Sequence, residues 1–310
     1  MEKKILLPVD ISVYSRHAIH YATQISSIVK DLTYTLLHVQ PGVSGFLVDE
    51  ADKNLRARQQ LKKVMRKNRE EAEKVLEKCK ADMIRMGIPQ DRIELATQAK
   101  SLGLAKDVLD RAQEGLYDAI AVGRRGLTKT QRAFMGSLTA DLVEHSKIIP
   151  VWVVDGEVTS KKIMVAVDGS ESSLRAVDHA AFMVGDNPEV FLSLFHVMGK
   201  GEDLSGVEFE DTESQPEERV IASRNKDFVD SFHVQAVDRL KEAGIGEERY
   251  DIRVAMRVHN VGKAIADRAR TGDYGTVVVG RRDINRSFFM DSVSKHVLDK
   301  TANRTVWVVN

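Results

Sequence analysis

A chain of 310 residues, 43% of them hydrophobic, has room for about two compact cores. Lysine plus arginine and aspartate plus glutamate balance at 46 each, which removes the electrostatic argument for nucleic acid or an anionic membrane as an obligatory partner. A single cysteine, Cys79, excludes an internal disulfide, and the absence of a bilayer-length apolar run or a charged-then-apolar leader makes the cytoplasm the expected location.

The chain opens on a β-branched and apolar run, 3–9, that predicts a strand ending at Val9-Asp10. Apolar residues at helical spacing follow over 12–29, and a second strand is expected at 33–39. The stretch 49–86 reads as one long helix, basic between Lys53 and Lys80 and stopped by Gly87 and Pro89. Cys79 lies within it between two lysines and is read as an ordinary helix thiol. Further strands are predicted at 92–97, 117–122 and 149–154. The segment 155–160, polar and carrying a glycine, reads as a linker. Beyond it strands are expected at 161–167, 189–197, 249–255, 274–279 and 304–309, with an acidic loop at 202–218 in place of the long basic helix.

The second half repeats the first. Ile5-Leu6-Leu7-Pro8-Val9-Asp10 returns as Ile163-Met164-Val165-Ala166-Val167-Asp168, and Leu36-Leu37-His38-Val39 as Leu194-Phe195-His196-Val197, at one constant offset. Gly123-Arg124-Arg125-Gly126 returns as Gly280-Arg281-Arg282-Asp283, and Val151-Trp152-Val153-Val154 as Val306-Trp307-Val308-Val309. The chain is therefore read as two tandem α/β domains, 1–155 and 161–310. Each is an open, five-stranded, mostly parallel sheet flanked by helices in a Rossmann-like arrangement.

The most informative stretch for chemistry is Val122-Gly123-Arg124-Arg125-Gly126, followed by Gly136-Ser137-Leu138-Thr139. An apolar strand delivers the chain to a glycine turn, and Gly136 opens a helix expected to run to Ser146. Glycines let backbone N–H groups approach an anion, and a helix N-terminus adds unpaired donors and partial positive charge. Ser137 can offer a hydroxyl to a phosphate or cap the helix; Arg124 and Arg125 can clamp phosphates or be solvated. His38 and His196 end equivalent strands and are read as packing or hydrogen-bonding residues rather than catalysts. No metal-ligand spacing is present.

The Gly-x2-Gly-x9-Gly-Ser pattern after the fourth strand, the aspartate ending the first and the terminal Val-x-Val-Val strand resemble the universal stress protein family, over nearly the whole chain and twice. The resemblance implies an ATP site in the crevice at the carboxyl ends of the strands, the usual place for ligands on open parallel sheets. Carried over, it puts Val9, Asp10 and Val39 around adenine and ribose, and Gly123, Gly126, Gly136, Ser137 and Leu138 around the phosphates. ATP with magnesium is the implied cofactor, with ADP or AMP sharing the adenine end. The family's terminal strand often forms a dimer contact, so the two copies are expected to pair as an internal pseudo-dimer, with a further homodimer left open.

The copies depart from the pattern unequally. The first has Ile11 where the second has Gly169. The second has Asp283 where the first has Gly126, Asp291 where it has Gly136, and a shorter loop between them. A carboxylate about 4 Å from a phosphate charge costs roughly 4 kcal/mol at an effective dielectric near 20, about a thousandfold in affinity. The second copy is thus expected to carry a degenerate loop and no nucleotide. Three functions follow in order. The first is an ATP-binding stress or signalling protein whose nucleotide biases conformation or partner choice. The second is a nucleotide-independent interaction scaffold. The third is an ATP-using ligase, for which the pyrophosphate loop is missing. With no Walker lysine and no evident general base, binding without efficient turnover is expected, slow hydrolysis staying compatible with the sequence.

Overall fold

In the computed structural model of the chain, residues 1–124, 136–199, 218–221, 231–281 and 292–310 are described. The first half runs β1 (Lys3–Pro8), α1 (Val13–Ile25), β2 (Leu32–Gln40), α2 (Gly45–Lys53), α3 (Leu55–Arg85), β3 (Ile93–Ala99), α4 (Leu104–Glu114), β4 (Ala119–Gly123), α5 (Ser137–His145) and β5 (Val151–Asp155). The second runs β6 (Ile163–Val167), α6 (Glu171–Val184), β7 (Leu192–Gly199), β8 (Glu218–Ile221), α7 (Ser231–Glu242), β9 (Tyr250–Val258), α8 (Val261–Thr271), β10 (Thr276–Gly280), α9 (Ser292–Lys300) and β11 (Arg304–Val309).

The predicted strands are all present within a few residues, and the duplication is visible in the sheet. The order β3-β2-β1-β4-β5 in the first half is matched by β9-β7-β6-β10-β11 in the second, all parallel within each half. The two sheets are fused: β5 and β11 pair antiparallel, Trp152 opposite Trp307, so a single 11-stranded sheet crosses the molecule. Antiparallel pairing of two copies of one edge strand is what a local two-fold requires, and it removes both edges from solvent. Strand β8, which the sequence did not announce, adds antiparallel to β9 at the far edge.

The first helix of each half starts the same way. Ser12 caps α1 by accepting from the Ser15 N–H, and Ser170 caps α6 by accepting from the Ser173 N–H. The single helix expected over 49–86 is corrected to two. Asn54 takes an extended conformation (φ −144°, ψ 144°) and its side chain accepts from the Ala57 N–H, which ends α2 and caps α3 at one residue. Only the second part of α3 reaches the core, through Ala72, Leu76, Cys79 and Met83. Burial pushes the Cys79 thiol up to about 11, so it has no thiolate character near neutrality.

Residues 156–162 are anchored rather than loosely solvated. Val158 is buried, and the Ser160 hydroxyl donates to the Asp273 carbonyl at 2.5 Å. The acidic stretch 202–217 lies outside the described residues.

Aromatic side chains fill the seam between the halves. Trp152 and Trp307 are fully buried and stack with ring centroids 4.1 Å apart and planes 5° off parallel. Each indole is tied to the other half. Trp152 Nε1 donates to His179 Nε2 at 3.1 Å, and Trp307 Nε1 donates to the Tyr21 hydroxyl at 2.9 Å. Tyr21 and His179 occupy the same place in the repeat, one on α1 and one on α6. Packing around the imidazole holds His179 down to about 3, so the ring is neutral and Nε2 is the acceptor. The buried Lys3 ammonium also crosses the seam, 2.7 Å from Asp186, and holds that carboxyl below the usual range.

Candidate functional site at the carboxyl edge of the first half

Strands β1, β2 and β4 end side by side, and the helices that follow leave a cavity of about 100 Å³ at their carboxyl ends. Its walls include Val9, Asp10, Val39, Gly123 and Leu138, five of the residues expected there, brought together from four separate elements or their ends. The loop 125–135 lies outside the described residues. Arg125 and Gly126 fall in that loop.

Asp10 is held in place by the turn that starts α1. Its Oδ1 accepts from the Ser12 N–H at 2.9 Å and from the Ser15 hydroxyl at 2.6 Å, while Ser15 Oγ accepts from the Asp10 N–H at 3.0 Å. Oδ2 has no hydrogen bond among the described residues, which leaves one carboxylate oxygen to accept from a ligand hydroxyl. Ile11, the first copy's departure from its repeat, points to solvent at 72% exposure and takes no part in the walls. Across the cavity His38 Nδ1 donates to the Val9 carbonyl at 2.8 Å, the hydrogen-bonding role expected of it.

The glycine at the end of β4 has a different reason from the one the motif suggests. A Cβ on Gly123 would stand 2.4 Å from the Tyr14 carbonyl oxygen, so the residue is glycine because α1 crosses β4 at that point. Gly280 repeats this, a Cβ there meeting the Ser172 carbonyl at 2.1 Å. Close helix–strand packing therefore accounts for both, whatever occupies the crevice.

Gly136 serves as the N-cap of α5, with φ −61° and ψ 151° and no side-chain cap hydrogen bond. Ser137 is the first helical residue, so its capping role is corrected, and no side chain caps the start of α5. Thr139 instead reaches back, its hydroxyl donating to the Gly123 carbonyl at 2.8 Å and tying the helix start to the strand end.

Arg124 is a second correction. Its guanidinium does not line the cavity; it is buried in the seam, 3.0 Å from Asp155 Oδ2, 3.5 Å from Asp299 Oδ1 and 3.3 Å from the Asp299 carbonyl. Arg281 mirrors it, donating to the Val143 carbonyl on α5 of the first half. These paired arginines hold each half's fourth-strand turn against the other half's last helix. A charge that is buried and engaged by carboxylates of both halves in this way is not available to a phosphate.

Sequence reasoning missed Ser12, Ser15, Leu37, Leu104 and Thr139 as wall residues. The first two carried a signal in the Asp-x-Ser-x-x-Ser pattern at 10–15. Leu104 had none, because it arrives on α4 from a separate crossover. In the second half Asp168 keeps the same turn, its Oδ1 accepting from the Ser170 N–H at 3.1 Å. Asp283 and Asp291 lie outside the described residues. Among those described there is no group of three or more metal-ligating side chains, and no helix is long and apolar enough to cross a membrane.

A family model described as the universal stress protein family matches the chain twice, over residues 1–155 and 159–310. Among solved structures, the chain is similar over 99% of its length to 98% of a universal stress protein from Archaeoglobus fulgidus DSM 4304 (19% identity, TM-score 0.63). It is also similar over 99% of its length to 93% of a putative universal stress protein from Pseudomonas aeruginosa UCBPP-PA14 (14% identity, TM-score 0.54). At these identities the structures establish the shared fold. A search of curated proteins found no match.

Proposed function

The chain belongs to the universal stress protein family, and from that premise we propose that its first half binds an adenine nucleotide, ATP in particular, and that occupancy biases which partners the protein engages in stress response or signalling. The observation that carries this reading is the crevice itself. Two apolar side chains, Val9 and Val39, an anchored carboxylate at Asp10 and an α5 N-terminus without a side-chain cap converge at the carboxyl edge of a parallel sheet. Val9, Val39 and Leu138 suit the faces of a purine, and Asp10 Oδ2 suits a ribose hydroxyl. The amides of Ser137 and Leu138, at the α5 start that Gly136 opens, suit phosphate oxygens, and Gly126 adds no Cβ to the loop before them. ATP brought in with magnesium would supply the charge-compensated triphosphate that such a cradle selects.

The second half keeps the fold but carries Asp283 and Asp291 at the loop positions of Gly126 and Gly136, and in our reading it binds no nucleotide and serves as the structural partner of the first. With Arg124 engaged in the seam, no described cation stands ready to stabilise a departing phosphate, which favours binding over efficient turnover. Calorimetric titration of the purified protein with ATP and magnesium, beside a Gly126→Asp variant that copies the second half, tests this. One site per chain, lost in the variant, is the expected result. Two equal sites would refute the degenerate second half, and no binding to the unmodified protein would leave the interaction scaffold as the better reading.

A further inference from the structure

The overall charge balance conceals one strongly segregated element. Between Leu55 and Asn68, α3 carries Arg56, Arg58, Lys62, Lys63, Arg66 and Lys67 with no acid. Arg58 and Lys62, Lys62 and Arg66, and Lys63 and Lys67 each repeat at four-residue spacing, which stacks like charges and destabilises a helix standing alone. The ion pairs that relieve this strain begin only further along, at Arg66 with Glu70 (3.6 Å) and Lys67 with Glu71 (3.7 Å). Among the described residues, no ion pair joins Arg56, Lys62 or Lys63 to an acid.

Burial does not compensate. No residue of α3 before Ala72 is buried, and α2 buries only Ala51. The two helices form a hairpin held by its own contacts, including the Arg58 Nε–H donated to the Ala51 carbonyl at 3.2 Å. Its position follows from Asn68, whose Nδ2 donates at 3.2 Å to the carbonyl of Pro41, the residue that follows β2 at the carboxyl edge. The part of α3 from Leu55 to Lys67 therefore stands beyond that edge, on the crevice side of the sheet, by about 20 Å at a rise of roughly 1.5 Å per residue.

Helical periodicity places Arg58 and Met65 along the flank of the half-buried stripe of Ala57, Leu61 and Val64, with Lys62 and Arg66 further round toward the far side. Apolar side chains of the hairpin are exposed as well: Leu55 at the start of α3 by 69%, Met65 by 50% and Val48 on α2 by 42%. We propose that the α2–α3 hairpin docks the protein peripherally on an anionic lipid surface. Phosphates of a nucleic acid would reward the cations alone and leave Leu55 and Met65 in water. The interface of an anionic bilayer rewards both, the headgroups taking the cations and the acyl boundary the apolar side chains. The neutral total charge makes the attraction local to the hairpin, so it orients the protein with its crevice edge toward the surface.

The test is co-sedimentation of the full-length protein with phosphatidylcholine vesicles, with and without phosphatidylglycerol, at low and high salt. Binding is expected only with phosphatidylglycerol and is reversed by salt. Replacing Lys62, Lys63, Arg66 and Lys67 with glutamine preserves helix propensity and should lower the partition coefficient about a hundredfold, each cation near an anionic surface being worth up to about fivefold. Leu55→Gln with Met65→Gln should weaken binding about tenfold while leaving the charges in place. Far-UV circular dichroism confirms that each variant keeps its helices. Failure of the unmodified protein to bind phosphatidylglycerol vesicles overturns the proposal, as does unchanged binding by the folded four-glutamine variant. Indifference to the apolar pair together with displacement from vesicles by duplex DNA would assign the hairpin to nucleic acid instead.

Discussion

The seam histidine makes a sharp prediction about acid stability. His179 lies between the edges of two tryptophans, 6.0 Å from Trp152 and 5.5 Å from Trp307 by ring centroids, and accepts from Trp152 Nε1. Desolvation holds it at about 3 when folded, against an ordinary value near 6.5. A base whose folded pKa is depressed binds its proton more readily when unfolded. Its neutral form therefore contributes full stability above about pH 6.5, and that stability is lost as pH falls toward the folded value. The loss is about 1.4 kcal/mol per pH unit, or about 3 kcal/mol at pH 4.5, and the solvent reaching part of this incompletely buried residue lowers the figure toward about 2 kcal/mol. His179→Gln keeps an acceptor for the indole N–H but cannot titrate. Urea unfolding of both proteins at pH 7 and pH 4.5, monitored by tryptophan fluorescence, isolates the difference from the carboxylates the two share. The variant should lose about 2 kcal/mol less than the unmodified protein between the two pH values. Parallel losses would show that the ring takes up a proton inside the folded seam, and would refute the argument from desolvation.

Other outcomes follow from the same geometry. Trp307→Ala should cost about 3 to 5 kcal/mol in urea unfolding at neutral pH, because it empties the centre of the stack and leaves Tyr21 without its donor. Arg124→Gln should change ATP affinity less than about threefold by calorimetry while lowering stability by about 2 to 4 kcal/mol, since it leaves Asp155 short of its buried partner. A large loss of affinity with unchanged stability would restore the phosphate clamp. Gly123→Ala should destabilise by about 1 to 3 kcal/mol by thermal melting through the clash with the Tyr14 backbone, and Gly280→Ala should do the same in the half read as nucleotide-free. Asn54→Ala should cost about 1 kcal/mol and reduce helical circular dichroism, because it removes the cap that separates α2 from α3.

Much of the architecture was legible in the residue order. Alternation of β-branched runs with helical periodicity located ten strands, and the recurrence of Ile5–Asp10 and Val151–Val154 placed a second copy of the first half. Val9, Asp10, Val39, Gly123 and Leu138 line one crevice, since a parallel α/β order brings the carboxyl ends of the strands together once their sequence is known. The helix break at Asn54 was misread: asparagine is unremarkable inside a basic helical run, and its extended backbone depends on α2 turning back to pack on α3.

What the chain order determined by itself is local: where strands and helices fall, that there are two copies, and which residues end each strand. Tertiary structure alone decided which way those end residues face. Arg124 stands one position past a glycine that lines the crevice, yet its guanidinium belongs to the seam. The parallel pairing of β4 with β5 sets Asp155 beside it, and the antiparallel docking of β5 on β11 brings Asp299 of the other half within reach. The same docking pairs Trp152 with His179 and Trp307 with Tyr21, partners on opposite halves. Periodicity reports the environment of a residue along its own element. The partner across a two-fold is set by how two finished elements pack, and no local pattern encodes that.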